Sequence, residues 1–240
     1  MVRKIILFVL VLAGIVLAAC STAPAATPVP TSTASVAPSS SAASAPAVSS
    51  SAAASTLPSD TVKLVIVPSA SEARFRAREV LAGNTLPNEA VGATKSIEGT
   101  IIGKMDGTIV SAQSKVRVDL RTLKSDQAMR DNFIKQDTLN TAKFPYADFV
   151  VVEAPGLPKA LPADGQVNFQ LVGDMTIRDV TKRMTWDVKS QVKGDLITGN
   201  AVSKFTFAFF NMTKPNVARV LSIEDTLQLE LDFTLQRVYN

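Results

Sequence analysis

The chain has no histidine, one cysteine, one tryptophan and two tyrosines among 240 residues. Without histidine there is no Ser-His-Asp or Cys-His nucleophile system, and no histidine-based metal site. The single cysteine, Cys20, can form no intramolecular disulfide and no thiolate cluster. No G-x-S-x-G, P-loop or G-x-G-x-x-G pattern occurs. Carboxylates adjacent in sequence, such as Glu224 and Asp225, point to opposite faces of a strand and form no acid–base dyad. There is no Lys/Arg block. The formal charge is +4, falling to +2 once Arg3 and Lys4 are removed with a leader. That balance is too mild for a nucleic-acid partner. No catalytic residue, metal or cofactor is nominated, and no enzymatic activity is expected.

What is present begins with an export pattern. Arg3 and Lys4 precede the apolar run IILFVLVLAGIV, and Leu17-Ala18-Ala19-Cys20 closes it with small residues. The run is short for a transmembrane helix, which needs about 20 apolar residues. A lone cysteine after Leu-Ala-Ala resembles the lipobox of bacterial lipoproteins. The resemblance implies a signal peptide over 1–19 and an acylated Cys20. It also implies an exported protein anchored to the outside of a bacterial cell membrane. Residues 20–59 are almost entirely Ser, Thr, Ala, Pro and Val, with no charge and no aromatic residue. Such a segment buries too little apolar surface to offset the entropy of ordering, so a tether is expected. As a random coil of about 40 residues it would span about 35 Å.

Residues 60–240 suit one domain with a sizeable core. Strand-like segments dominate, at 61–67, 73–81, 94–103, 114–123, 147–154, 166–177, 182–192, 196–210 and 225–236. Pro68 divides the first two, and Asp106-Gly107, Asp164-Gly165, Arg178-Asp179 and Lys193-Gly194-Asp195 supply turn chemistry. About eight strands with short connections predict an all-β antiparallel sandwich or barrel. One stretch differs: SDQAMRDNFIKQ, 125–136, is poor in β-branched residues. Ser125 is a candidate cap, and Met129 and Phe133 share a face four residues apart. One helix is therefore expected there, with Asp126 and Arg130 as an ordinary i, i+4 ion pair.

Alternation assigns the inner faces. In DTLQLELDFTLQ, Leu227, Leu229, Leu231, Phe233 and Leu235 share one parity and polar residues the other. The same rule turns inward Phe169 and Leu171, then Met184, Trp186 and Val188, then Ala201, Phe205, Phe207 and Phe209. Gly173 and Gly199 interrupt their strands, as bends and bulges require. Phe75 points inward on its strand, which puts Arg74, Arg76 and Arg78 on the opposite face. Those arginines are either a solvated outer face or, near a barrel mouth, contacts for a phosphate-bearing head group.

Five stretches in order resemble the YceI-like family: LRTLKSDQAMRDNFI, LNTAKFPYADF, LVGDMTIRDVTKRMTWDV, FAFFNMTKP and LQLELDFTL. The resemblance spans nearly all of 70–240. It implies a lipocalin-like antiparallel barrel with a helix after the fourth strand, holding an amphiphilic ligand, typically a polyisoprenoid. It supplies no catalytic residues. Asp126, Arg130, Pro145, Phe149, Gly173 and Thr176 match as architectural positions. The stretch REVLAGNTLPNEAVGATKSIEGTI departs, being longer and free of the histidine that many members carry.

An eight-stranded barrel either fills with its own side chains or holds one small ligand. Alternation alone favours a filled core; the resemblance favours a cavity. Two functions follow. One is a carrier or sequestering protein for an isoprenoid-type lipid or quinone, its pocket lined by Phe75, Met129, Phe133, Phe169, Leu171, Trp186, Phe205, Phe207, Leu229, Leu231 and Phe233. The other is a non-enzymatic envelope scaffold with a solid core that binds a protein through its outer surface.

The anchor is testable without the fold. Two or more acyl chains, at about 0.8 kcal/mol per buried CH₂, hold a protein durably on a bilayer. Cys20→Ser is expected to move the protein from the membrane fraction to the soluble fraction on cell fractionation. A variant still firmly membrane-bound would place the anchor elsewhere.

Overall fold

The computed structural model describes residues 60–83, 86–216 and 220–239. The signal-like segment, Cys20 and the tether expected over 20–59 lie outside the described residues. The strands are β1 (Thr61–Ile66), β2 (Glu72–Leu81), β3 (Asn88–Thr94), β4 (Ile97–Lys104) and β5 (Lys115–Asp119). They continue as β6 (Tyr146–Glu153), β7 (Asp164–Ile177), β8 (Val180–Lys193), β9 (Leu196–Thr206) and β10 (Val220–Val238). One α-helix, α1 (Ala128–Phe133), runs on into a π-helical turn, Ile134–Thr138.

All pairings are antiparallel, and the ring β1-β4-β5-β6-β7-β8-β9-β10 closes through β1 and β10. The strands β2 and β3 continue that ring rather than add to it. Along β10, residues 235–238 pair with β1 and residues 220–232 pair with β2. β3 pairs with β2 as β4 pairs with β1. Ten strands thus form eight staves, two of them bent, in a closed barrel.

The first bend has a local cause. Pro68 opens a 3-10 turn, Pro68–Ala70, and has no N–H for a ladder. The turn is fastened to β10 at one residue. Val67 N–H donates to the Thr234 carbonyl (2.8 Å), and Thr234 N–H donates to Ser71 Oγ (3.0 Å). Thr234 Oγ1 donates to the Ala70 carbonyl (3.0 Å), and Ser71 Oγ to the Val67 carbonyl (2.9 Å). Ser71 is buried, as a hydroxyl with this many partners can be.

The core follows the alternation. Val167, Met175 and Ile177 on β7, Met184, Trp186, Val188 and Val192 on β8, and Ile197, Ala201 and Phe205 on β9 are all buried. Glycines make room for rings: Phe233 lies over Gly199 across the β9–β10 pair, and Phe75 over Gly92 across β2–β3. These glycines act by having no side chain, beyond the bends expected of such positions.

Four sequence expectations are corrected. The strand expected from 94 begins at Ile97, and the preceding Asn88–Thr94 forms β3, a strand that its Asn, Glu, Gly and Ala conceal. The strand expected over 114–123 stops at Asp119, whose carboxylate accepts from Arg121 N–H (2.9 Å) and starts a 3-10 turn. The strand expected to 210 ends at Thr206. A 3-10 turn, Phe207–Phe210, then breaks the parity, so Phe210 is fully buried and Phe209 is exposed. The helix expected over 125–136 begins at Ala128. Ser125 does not cap it; Ser125 N–H and Oγ both donate to Asp131 Oδ1 (2.8 and 2.7 Å).

The Gly199 site gives a stability test. A Cβ there would sit 2.4 Å from the Lys189 carbonyl oxygen and 2.6 Å from Phe233 Cζ. Backbone cannot yield as a flexible side chain does, so Gly199→Val is expected to cost about 1–3 kcal/mol by overpacking. Urea unfolding measures it; a midpoint equal to that of the parent would contradict this packing.

Candidate functional site: an apolar cavity through the barrel

The inward faces do not meet in the middle. They enclose a cavity of about 920 Å³. Its volume comes from small residues on inward parity, among them Ala73, Ala77, Ala90, Ala147 and Ala201. Larger side chains border the space without filling it: Leu64, Phe75, Phe169, Leu171, Leu229 and Leu231 are only partly buried. The cavity spans the barrel. One end is bordered by Leu81, Val220, Met129 and Phe133, where α1 lies. The other is bordered by Met105, Lys159, Arg237 and Tyr239.

All eleven residues nominated from the sequence border this cavity. Phe169, Leu171 and Trp186 stand on β7 and β8, and Leu229, Leu231 and Phe233 on β10. Phe205 is the last inward residue of β9, while Phe207 opens the turn after it; both are buried. Phe75 comes from β2, and Met129 and Phe133 from α1, where Met129 is largely exposed at the rim.

The arginine trio is placed differently. Arg74 borders the cavity, but its guanidinium binds carboxylates of the outer face: Glu72 (2.7 Å), Glu230 (3.2 Å) and Asp232. Arg76 pairs with Glu230 (2.8 Å) and Glu89 (2.7 Å), and Arg78 lies 3.8 Å from Glu224. This is a charge ladder across β3, β2 and β10 on the wet side of the wall.

The cavity wall carries few polar groups. Ser190 Oγ donates to the Val167 carbonyl (2.8 Å), so this wall hydroxyl is satisfied by its own sheet. Glu79 is an inward carboxylate near the helix end, 5% exposed. Arg130 reaches from α1 to hold it at 2.5 Å, and Asn88 Nδ2 donates to it at 3.1 Å. Arg130 also binds Asp126, so the expected helix ion pair is one arm of a three-residue contact that ties α1 to β2. Two donors of the wall, Trp186 Nε1 and Arg237 Nε, have no acceptor.

Three contributors escape the sequence reading. Glu79 looks like a surface charge until β2 is seen to carry inward parity from Phe75 through Ala77. Arg237 follows Leu235 on the inward parity of β10, opposite Leu64; extending the alternation past Gln236 would have found it. The segment between β6 and β7 reads as a loop, yet Ala154, Leu157 and Leu161 border the cavity. That loop is held against β7 by Gln170 N–H donating to the Pro155 carbonyl (2.9 Å). Among the described residues, no group of three or more His, Cys, Asp or Glu could hold a metal ion.

The outer ladder has a pH signature. Burial pushes the Glu230 carboxyl up, but hydrogen bonds from Arg76, Gln228 and Arg74 outweigh it and hold the group below its ordinary range. Asp232 is likewise lowered: burial opposes, and Arg74 and Asn200 prevail. A carboxyl with a depressed folded pKa stabilises the fold above its unfolded pKa, about 4.3 for Glu and 3.9 for Asp. That stability is lost as pH falls through the folded value. Arg74→Gln is therefore expected to lower the urea midpoint at neutral pH and to flatten its decline below about pH 4. An acid limb identical to that of the parent would remove the ladder from the stability account.

A family model for the YceI-like domain matches residues 64–235. Among solved structures, the fold is similar to a polyisoprenoid-binding domain from Saccharophagus degradans implicated in plant cell wall breakdown. Identity there is 12% and the TM-score 0.55, covering 73% of this chain and 98% of that one. It is also similar to BcnA of Burkholderia cenocepacia, at 17% identity and a TM-score of 0.51, covering 72% and 99% of the two chains. At such identities the likeness is one of fold. No curated protein matches the chain. The matched span runs from β1 to β10 and takes in every stave of the barrel, and on that basis the chain belongs to the YceI-like family.

Proposed function

We propose that the barrel binds, and so carries or sequesters, an amphiphile with a long apolar chain, such as a polyisoprenoid or a quinone. The observation that carries this reading is the apolar cavity of about 920 Å³ along the barrel. Ligand pockets of small molecules commonly occupy about 300–1,000 Å³. Membership of the YceI-like family and a fold shared with a polyisoprenoid-binding domain support the same ligand class. Energetics permit it. Nanomolar binding needs about −12 kcal/mol. Burial of some tens of CH₂-sized units at about 0.8 kcal/mol each exceeds that before ordering costs. No strong polar contact is needed for affinity.

The place of action is part of the proposal. The lipobox-like Leu-Ala-Ala-Cys sequence supports an exported lipoprotein held on the outer side of a bacterial membrane by acylated Cys20. A tether of some 40 residues would let the barrel reach the bilayer surface and leave it. No catalytic step is assigned. The scaffold alternative needs a packed interior, and Leu229 and Leu231 face open space instead.

Two measurements test the carrier reading. Organic-solvent extraction of the purified full chain is expected to release an isoprenoid-type lipid or quinone. Ala201 lies inward between Val188 and Leu231 on the cavity wall. Ala201→Phe is expected to cut uptake of a prenylquinone at least tenfold while costing no more than about 3 kcal/mol of stability. A parent protein that yields no lipid on extraction and takes up no isoprenoid or quinone in titration would sink the reading.

A further inference from the structure

The strand ends away from α1 hold large apolar side chains in the open. Met105 is 60% exposed and Tyr239 69%, and both border the cavity. Leu196 opens β9 and Val238 closes β10 at the same end, each exposed. Lys104, Lys159 and Arg237 border this mouth, and none of the three forms an ion pair among the described residues. Two nearby carboxylates are engaged elsewhere. Asp195 accepts from the Tyr239 hydroxyl (2.5 Å) and Asp106 from Thr108 N–H (2.9 Å), and neither borders the cavity. The chain that precedes the barrel joins at this end too. Met105 N–H donates to the Asp60 carbonyl (2.8 Å), and Thr61 pairs with Lys104. The α1 end also exposes apolar groups, Leu86, Met129 and Leu221. There, however, the charges that border the cavity, Glu79 and Arg130, are paired with each other.

We propose that the Met105–Tyr239 mouth is the face the barrel lays on a phospholipid bilayer, and that a ligand chain passes through it between leaflet and cavity. The inference rests on the carrier and anchored-lipoprotein readings above. Reach decides between the two ends. A tether of about 40 residues spans about 35 Å as a coil. The strand β8 is 14 residues long, and at about 3.3 Å per residue it runs about 45 Å. A usual strand tilt reduces this to about 35 Å of barrel height. Turning the α1 end to the membrane would take the tether's whole mean span, whereas the end that holds Asp60 needs almost none of it, so its effective concentration at the surface is the higher. The chemistry of the mouth suits that surface. A tyrosine ring with a hydrogen-bonded hydroxyl is at home at head-group level. Lysine and arginine charges without carboxylate partners are drawn to anionic head groups within about a Debye length. An apolar chain that enters here moves from hydrocarbon to cavity wall without being exposed to water.

The test is amide hydrogen exchange on the full acylated chain bound to vesicles of phosphatidylethanolamine and phosphatidylglycerol, against full-length Cys20→Ser free in solution. Exchange over 104–107 and 237–239 is expected to slow by about fivefold or more on vesicles, with Ala128–Phe133 and 220–223 unchanged. Leu196→Glu combined with Val238→Glu is expected to remove most of that protection. Leu221→Glu, an exposed position at the α1 end, is expected to leave it intact. The primary result is read on the parent protein and does not depend on how well the variants fold. Protection of the α1 end instead, or of neither end, overturns this face while the carrier reading keeps its own test in lipid extraction. Protection of the same mouth in vesicle-free Cys20→Ser at raised concentration makes a second copy the occupant and overturns it as well. The mass of the N-terminal peptide reports acylation separately. An unmodified Cys20 sinks the anchored-lipoprotein reading and this proposal with it, whereas an acylated chain with an unprotected mouth sinks this proposal alone.

Discussion

Closure of the barrel depends on β10 serving three partners. One edge pairs with β9; the other pairs first with β2 and then, past Thr234, with β1. The handover happens where the chain cannot continue a ladder, at Pro68. Thr234 and Ser71 replace the missing ladder bonds with four hydrogen bonds in the space of one turn. Without that handover β1 and β10 would each present an open edge, the feature most prone to pairing with another chain. The bent staves, the inner and outer parities and the two ends of the cavity all take their positions from this seam.

Once the ring is closed, side-chain size decides whether it is solid or hollow. Eight strands lie at the boundary between the two. Here alanines and glycines recur on inward parity, and the large residues at other inward positions do not reach across. Phe233 and Phe75 occupy the places of absent side chains at Gly199 and Gly92 rather than the middle of the barrel. Rings are thereby held against the wall, and the centre stays open. The carboxylate–arginine ladder stiffens the outer side of the wall bordered by β2 and β10, where the inner side has little packing to offer.

Much of this was legible in the sequence, and the failures have physical reasons. The period of two along 166–177, 182–192 and 225–236 sorted inside from outside because one face of each strand is wet. That rule placed Phe169, Trp186 and Leu231 on the cavity wall and the arginine trio on the opposite parity. It failed at Phe209, where a 3-10 turn replaces the strand and alternation no longer maps onto a face. It missed β3, since Asn-Glu-Ala-Val-Gly-Ala-Thr has the composition of a loop and becomes a strand only by pairing with β2. It could not choose between core and cavity, because alternation reports direction and not distance across the barrel. Glu79 and Arg130 lie 51 residues apart, so their pairing was beyond any local pattern.

That last contact constrains how the helix end behaves. Glu79 and Arg130 attract each other beside an apolar opening, with side chains 5% and 12% exposed. In such surroundings a joined pair is tolerable and two fully hydrated charges are tolerable. Two charges half withdrawn from each other and still facing hydrocarbon are the costly arrangement. The joined pair therefore resists displacement of α1 from the wall of the barrel. Met129, on the same short helix as Arg130, is held at the rim by a charge contact rather than by burial of its own side chain.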